Sequence, residues 1–392
     1  MYILIAPNAF KNSLNAPEVA LAIGQGLQSS KLSCTTECFP VGDGGDGTAQ
    51  LIIDKFKGTA VPVEVHDPLG RKIQASFGLI EKGKTAVIEM ADASGIRLLN
   101  TDELNPFKTS SAGTGEMLLA ALDQGVSTII IGLGGSATVD GGAGMLSALG
   151  VKFFDANDSP LHRLLSFGEA GVRPYPIPED LSQLARIDIS AIDRRIFKCR
   201  IIVLCDVDNY LLGENGSAAV FGPQKGAKDS DVPELEKILG NISALGFKET
   251  GNNMDKVKHG GAAGGLAAAL HAFCNAELVA GAEHFLQLTG FEKSLKNCDL
   301  VITGEGSLDA QTLQGKAPFA VSVLAKKHNI PVVGVAGRVP LGSNAELDQH
   351  FSVLQSIGHE PSGLASAIAD TEANLIRTGT LIGNLFSLST NK

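Results

Sequence analysis

Thr128-Ile-Ile-Ile-Gly-Leu-Gly-Gly-Ser-Ala-Thr-Val-Asp-Gly-Gly-Ala-Gly144 is the stretch whose reading decides the fold. The β-branched run reads as a buried strand. It opens into a glycine-rich loop carrying Ser136, Thr138 and Asp140, and a small-residue helix follows. Glycines let backbone N–H groups crowd an anion without Cβ atoms in the way, and a helix start adds the positive end of its dipole. A strand feeding such a loop is how α/β proteins build phosphate sites. Gly134, Gly135, Ser136 and Thr138 are therefore candidates for binding the phosphates of a nucleotide such as ATP.

The same grammar recurs twice. Gly42-Asp-Gly-Gly-Asp-Gly-Thr48 sets Asp43 and Asp46 three apart among glycines. Such carboxylates suit a hard cation such as Mg²⁺, or a base near a substrate hydroxyl. Val301-Ile-Thr-Gly-Glu-Gly-Ser-Leu-Asp309 again runs from strand into a glycine–acid loop, with Lys316 beyond it. Pro7-Asn-Ala-Phe-Lys-Asn-Ser13 puts Lys11 just past the first strand, where it can reach a phosphate or carboxylate. Lesser segments are Lys108–Glu116, whose Thr114 lies near a helix start, Cys205-Asp-Val-Asp-Asn209, and Phe221–Gly226 with Lys225 in a rigid turn. A competing reading takes Gly132–Ala137 as G-x-G-x-x-A with Asp155 as the ribose-binding acid, making the chain an NAD(P)-dependent hydroxy-acid dehydrogenase. Against it, Thr138–Gly142 delays the helix and brings a carboxylate to where pyrophosphate would approach.

Composition narrows the class. With 392 residues, two domains are expected. The 46 glycines are about 12%, against the usual ~7%, without a collagen period or low-complexity tract. A net charge of −10 and no Lys/Arg cluster argue against nucleic acid. Met1–Ala6 is too short for a signal segment, and no run nears the roughly 20 apolar residues of a membrane span. A soluble cytoplasmic protein with no membrane partner, monomer or homodimer, is expected. The six scattered cysteines fit no zinc or redox spacing and read as reduced, mostly buried thiols.

The fold class expected is two-domain α/β. Tyr2–Ala6, Asp299–Thr303 and Pro331–Ala336 are apolar runs of the parallel-sheet kind, so both chain ends should share one Rossmann-like sheet. That gives a discontinuous domain, 1–65 with 286–392. An inserted mixed α/β domain, 66–285, would begin with an antiparallel meander between Val61 and Met90.

Taken in order, these segments resemble the bacterial glycerate kinase family, type I, whose members phosphorylate D-glycerate. The resemblance rests on Asn8-Ala-Phe-Lys-Asn-Ser-Leu14, Asp43-Gly-Gly-Asp-Gly-Thr48, Asp67-Pro-Leu-Gly-Arg71 and Val87-Ile-Glu-Met-Ala-Asp-Ala-Ser-Gly95. It continues through Gly113-Thr-Gly-Glu116, Ile131–Gly142, Cys205–Asn209, Val220–Ala227 and Ile302–Asp309, spanning nearly the whole chain. Asp46 stands where Glu is more usual, Val139 where Asn is, Ser111-Ala112 where a Thr-Tyr-like pair is, and Tyr210 where Pro is common; 162–180 is peculiar to this chain. The resemblance implies ATP and Mg²⁺ as cofactors, D-glycerate as substrate and the 2-hydroxyl as acceptor. Lys11, Asp43 and Asp309 are then the catalytic candidates, and Arg71, Ser13 and Asp46 the substrate contacts, Arg71 clamping the carboxylate. Gly134, Gly135, Ser136, Thr138 and Thr114 would hold phosphates, with Asp140 and Asp206 as metal candidates.

Overall fold

The structure is a computed structural model and describes residues 1–161, 175–309, 312–342 and 344–390. The peculiar segment noted above lies outside the described residues from 162 to 174. The described strands are β1 (Tyr2–Ile5), β2 (Thr35–Cys38), β3 (Thr59–His66), β4 (Lys72–Ile80), β5 (Thr85–Glu89), β6 (Thr128–Gly132) and β7 (Lys152–Phe154). They continue as β8 (Arg186–Asp188), β9 (Arg200–Cys205), β10 (Glu277–Ala280), β11 (Leu300–Ser307), β12 (Val332–Arg338) and β13 (Val353–Ser356). The chain divides into two compact units, Met1–Asp43 with Gly281–Lys392, and Gly44–Ala280.

In the first unit the sheet order is β13-β12-β11-β1-β2, with every pair parallel. Ile3 pairs with Leu300 and Ile5 with Ile302, so the two chain ends do share one sheet. Its core joins Ile3, Ile5, Leu300, Ile302 and Val335 to Val19, Ile23 and Leu27 of the helix Ala16–Gln28. Leu375 and Ile382 of the helix Thr371–Thr390 complete it. The first of these helices starts where its sequence says it should: Asn15 and Glu18 form a reciprocal capping box, with Pro17 in the first turn. The two helices cross at glycines. A Cβ on Gly26 would come 2.1 Å from the Ile376 carbonyl oxygen, and one on Gly379 would come 2.5 Å from that of Ile23.

In the second unit the order is β10-β9-β6-β5-β4-β3. The first four strands are mutually parallel, while β5-β4-β3 is the expected antiparallel meander. β7 and β8 form a separate antiparallel ribbon. The unit edges fall at 43/44 and 280/281, not at the expected 65/66 and 285/286. The reason is pairing and packing: β3 lies along β4 from Thr59↔Leu79 to His66↔Lys72. Ile53 of the preceding helix Thr48–Lys55 fills the space over Gly78 of β4. The six cysteines are free, four of them buried. Among the described residues, no helix is long and apolar enough to cross a membrane.

The glycine crossing gives a paired test on one helix. Gly26→Ala drives a methyl group into backbone and should cost about 1–3 kcal/mol. Gly24→Ala, whose Cβ would meet only Ile5 Cδ1 at 3.6 Å, should be neutral or stabilising. Urea midpoints of the two variants check the contrast.

Candidate active site

At the carboxyl ends of β1 and β11 the first unit gathers its charged groups. The Asn8 backbone N–H donates to the Gly304 carbonyl at 2.8 Å, joining the two strand ends. The Asn8 side chain accepts from Ala9 N–H and donates from Nδ2 to Asp43 Oδ2, both at 2.8 Å. This holds the Asp43 carboxylate in one orientation. Glu305, at the end of β11, is buried; its Oε1 accepts from Thr312 Oγ1 at 3.0 Å, and Lys316 Nζ lies 3.6 Å from Oε2. Burial raises the Glu305 pKa and nearby Asp43 adds to the rise, while Lys316, the Thr312 hydrogen bond and Lys11 oppose it. Lys11, Asp43, Glu305 and Lys316 thus form one electrostatic set.

Asp309 accepts from Ser307 Oγ at 3.0 Å, and its N–H donates to Thr312 Oγ1 at 3.1 Å, so it belongs to the turn that positions Thr312. Ser13 Oγ donates to the Ile368 carbonyl at 2.9 Å and ties its loop to the helix Leu364–Ala369. Asn8 and Glu305 lie within the Pro7–Ser13 and Val301–Asp309 stretches, where the sequence alone assigns neither a role. Their signal was position alone, each immediately beyond or at the end of an apolar parallel strand.

In the second unit the loop after β6 is organised around one of its own side chains. Asp140 is fully buried, and its carboxylate accepts from Gly142 N at 3.0 Å, Gly144 N at 3.1 Å, Ser111 N at 2.8 Å and Ser111 Oγ at 2.7 Å. Ser111 Oγ in turn accepts from Met145 N at 3.0 Å. The anion at the start of the short helix Ala143–Ala148 is therefore the protein's own side chain. Burial raises the Asp140 pKa, and these hydrogen bonds pull it back. With its oxygens so engaged, Asp140 organises the loop, and in this structure the carboxylate expected as a metal ligand is taken up by protein donors.

The glycines also prove to be packing devices. A Cβ on Gly134 would lie 2.3 Å from Gly45 Cα, and Gly134 N donates to Gly44 O at 3.0 Å. A Cβ on Gly44 would lie 2.6 Å from Leu204 O, so the acidic loop passes in contact with the ends of β6 and β9. Gly135, at φ 73°, turns the chain toward Ser136. Thr138 is buried, and its Oγ1, like Ser110 Oγ, has no partner among the described residues. Buried Lys225 donates to Ser136 Oγ and to Thr138 O, both at 2.8 Å. Val139 packs in the apolar core, as a valine should.

Other candidates are held by protein partners. Thr114 Oγ1 is buried on Ser94 Oγ at 2.8 Å. Arg71 donates to Asp67, to Glu103 Oε1 at 2.6 Å and to Leu98 O at 3.1 Å; this fastens the Asp67–Arg71 turn and occupies the expected carboxylate clamp. Asp46 meets Arg97 at 2.8 Å and shares a hydrogen bond with buried Glu89 at the end of β5; Arg97 also pairs with Asp92. Glu89 accepts from Gly47 N and from Ala49 N, the latter at 3.2 Å. Burial, reinforced by Asp46, pushes Glu89 from the usual 4.5 to about 8. Asp206 follows β9 and is half-buried.

The dinucleotide reading fails on topology. β6 lies between β5 and β9, while β7, which precedes Asp155, is paired with β8 in a separate two-stranded ribbon and is not a strand of that sheet. The Asp155 carboxylate accepts from Asn157 N and Ser159 N, closing its own turn.

Carboxylates, lysines and hydroxyls at the carboxyl ends of parallel strands are the equipment of an α/β enzyme acting on small anionic ligands. The sequence model of the Glycerate kinase family matches residues 3–387. The chain is 43% identical to the glycerate 2-kinase of Escherichia coli (strain K12), over 91% of this chain and 92% of that protein. It is 42% identical to the glycerate kinase of Bacillus subtilis (strain 168), over 91% and 90%. A crystal structure from Salmonella typhimurium LT2, provisionally assigned as glycerate kinase 2, superposes with a TM-score of 0.81 at 39% identity, covering all of both chains. The chain belongs to the glycerate kinase family.

Two outcomes test the site. Asp140→Asn turns an NH₂ group toward backbone donors and should cost about 3 kcal/mol in chemical denaturation. Glu89 gains its proton on folding, so its contribution is full below pH 4.5 and is lost as pH rises through about 8. Glu89→Gln should flatten that decline when thermal midpoints are compared from pH 5 to 9.

Proposed function

We propose that this chain transfers the terminal phosphoryl group of ATP to the 2-hydroxyl of D-glycerate, giving 2-phosphoglycerate and ADP. The observation that supports it most is the Asn8–Asp43 pair beside Lys11, Glu305 and Lys316, in a chain of this family. Phosphoryl transfer asks a protein chiefly for positioning and charge neutralisation, with a base near the acceptor hydroxyl. Asp43, fixed through its Oδ2, is suited to orient that hydroxyl and take its proton. Lys11, exposed at the strand end, neutralises the carboxylate or phosphate charge. Lys316 balances Glu305, so the cluster does not become a net acidic surface that would repel an anionic substrate.

Bound Mg–ATP supplies the phosphoryl group and the metal's charge neutralisation of its oxygens. The residues present fit such a pair. Among the described residues no three His, Cys, Asp or Glu side chains cage a metal, but Mg²⁺ held with phosphates needs only one or two carboxylates. Asp206 is the remaining candidate of the two expected, since Asp140 is engaged. Of the two hydroxyl-bearing residues in the loop, Ser136 is the more exposed, at 8% against 0% for Thr138.

ADP release from Mg–ATP should depend on D-glycerate, and enolase should convert the product to phosphoenolpyruvate. ADP without that conversion, where authentic 2-phosphoglycerate reacts, would move the acceptor away from the 2-hydroxyl. Asp43→Asn and Lys11→Ala should each lower kcat by at least about 10²-fold while the protein stays folded by circular dichroism. Near-native turnover in either variant removes that residue from the mechanism.

A further inference from the structure

Lys225 lies in the turn after the helix Ser217–Phe221 and is 2% exposed. Burying an ammonium costs several kcal/mol unless its partners are well placed. Here there are two, Ser136 Oγ and Thr138 O, each at 2.8 Å. A carbonyl can only accept. A serine hydroxyl can accept or donate, but toward an amine that is donating it must accept, and its own proton must then point elsewhere. The main chain fixes the same residue. Ser136 bridges to Gly95, Ile96 N donates to Gly135 O at 2.8 Å, and Ala137 N donates to Ser94 O at 2.9 Å. Among the described residues, no protein acceptor takes the Ser136 proton.

We propose that Lys225 is a positioning residue that holds the Ser136 hydroxyl as an outward hydrogen-bond donor to a phosphate oxygen of the nucleotide. Ser136 then touches the phosphate and Lys225 does not. Burial pushes the Lys225 amine down to about 7, with Asp140 and Asp206 opposing the shift. The ammonium has three N–H donors and the neutral amine two, enough in either state to serve both Ser136 Oγ and Thr138 O, and the ammonium has no lone pair to take the Ser136 proton back. A preorganised donor aimed at phosphoryl oxygens works chiefly in the transition state.

The inference rests on the proposed kinase activity. Its test is a cycle of Ser136→Ala, Lys225→Met and the double variant, assayed beside the wild-type protein for kcat and for KM toward ATP and D-glycerate. Ser136→Ala should lower kcat about 10- to 100-fold with KM for D-glycerate within about threefold. Lys225→Met should lower kcat at least as much, and the double variant should be no worse than Lys225→Met within about twofold. Multiplying effects would mean that Lys225 acts apart from Ser136, and would overturn the proposal. So would native kcat in Ser136→Ala, which decides the matter alone if Lys225→Met does not fold. A wild type without glycerate-dependent ADP takes the proposed function and this inference down together, whereas an active wild type with an equally active Ser136→Ala removes only the inference.

Discussion

The buried Asp140 carboxylate is the interaction on which the second unit's functional loop depends. It gathers N–H groups from two helix starts, Ser111 on one side and Gly142 and Gly144 on the other. Ser111 Oγ extends the array to Met145 N. Donors that would be orphaned at a helix start are satisfied by a fixed internal anion. The loop ahead of them is thereby given one shape. Gly141 N donates to Gly264 O at 2.9 Å and Lys225 closes on Thr138 O, so each turn of the segment is tied to a different part of the unit. Ser111 supplies the hydroxyl this array needs.

The two units solve the same problem with different chemistry. In the first, a side-chain amide orients Asp43, and a hydroxyl and a lysine flank Glu305. In the second, Glu89 sits at the start of the helix Thr48–Lys55 and is hydrogen-bonded to Asp46, which Arg97 also holds. Each acid is buried or oriented by groups a few residues beyond the end of a parallel strand. This is where open parallel sheets leave room for polar side chains without disturbing a core.

Much of the fold was legible because it rests on local rules. The apolar runs at Tyr2–Ala6, Asp299–Thr303 and Pro331–Ala336 read as strands of a parallel sheet, and the meander announced itself through Asp67–Gly70 and Glu81–Lys84. The unit edge was not legible. Nothing in Gly44–Lys57 says that Ile53 will pack over Gly78. The site was legible in its residue types and less so in its roles. Spacing marks Asp140, Arg71 and Thr114 as polar groups near strand or helix ends. Whether such a group faces a ligand or another part of the chain depends on partners distant in sequence, namely Ser111, Glu103 and Ser94. Glycines carry the same ambiguity, since Gly134 permits close approach of Gly45 as readily as it would permit a phosphate.

The central claim is that the helix start behind the loop is filled by Asp140. Amide hydrogen exchange resolved to Ser111, Gly142, Gly144 and Met145 tests it most directly. All four amides should exchange slowly in the ligand-free protein and remain unchanged on adding Mg–ATP. Fast exchange in the free protein that becomes protected only with Mg–ATP would show that a phosphate, and not Asp140, takes these donors, and would contradict the account.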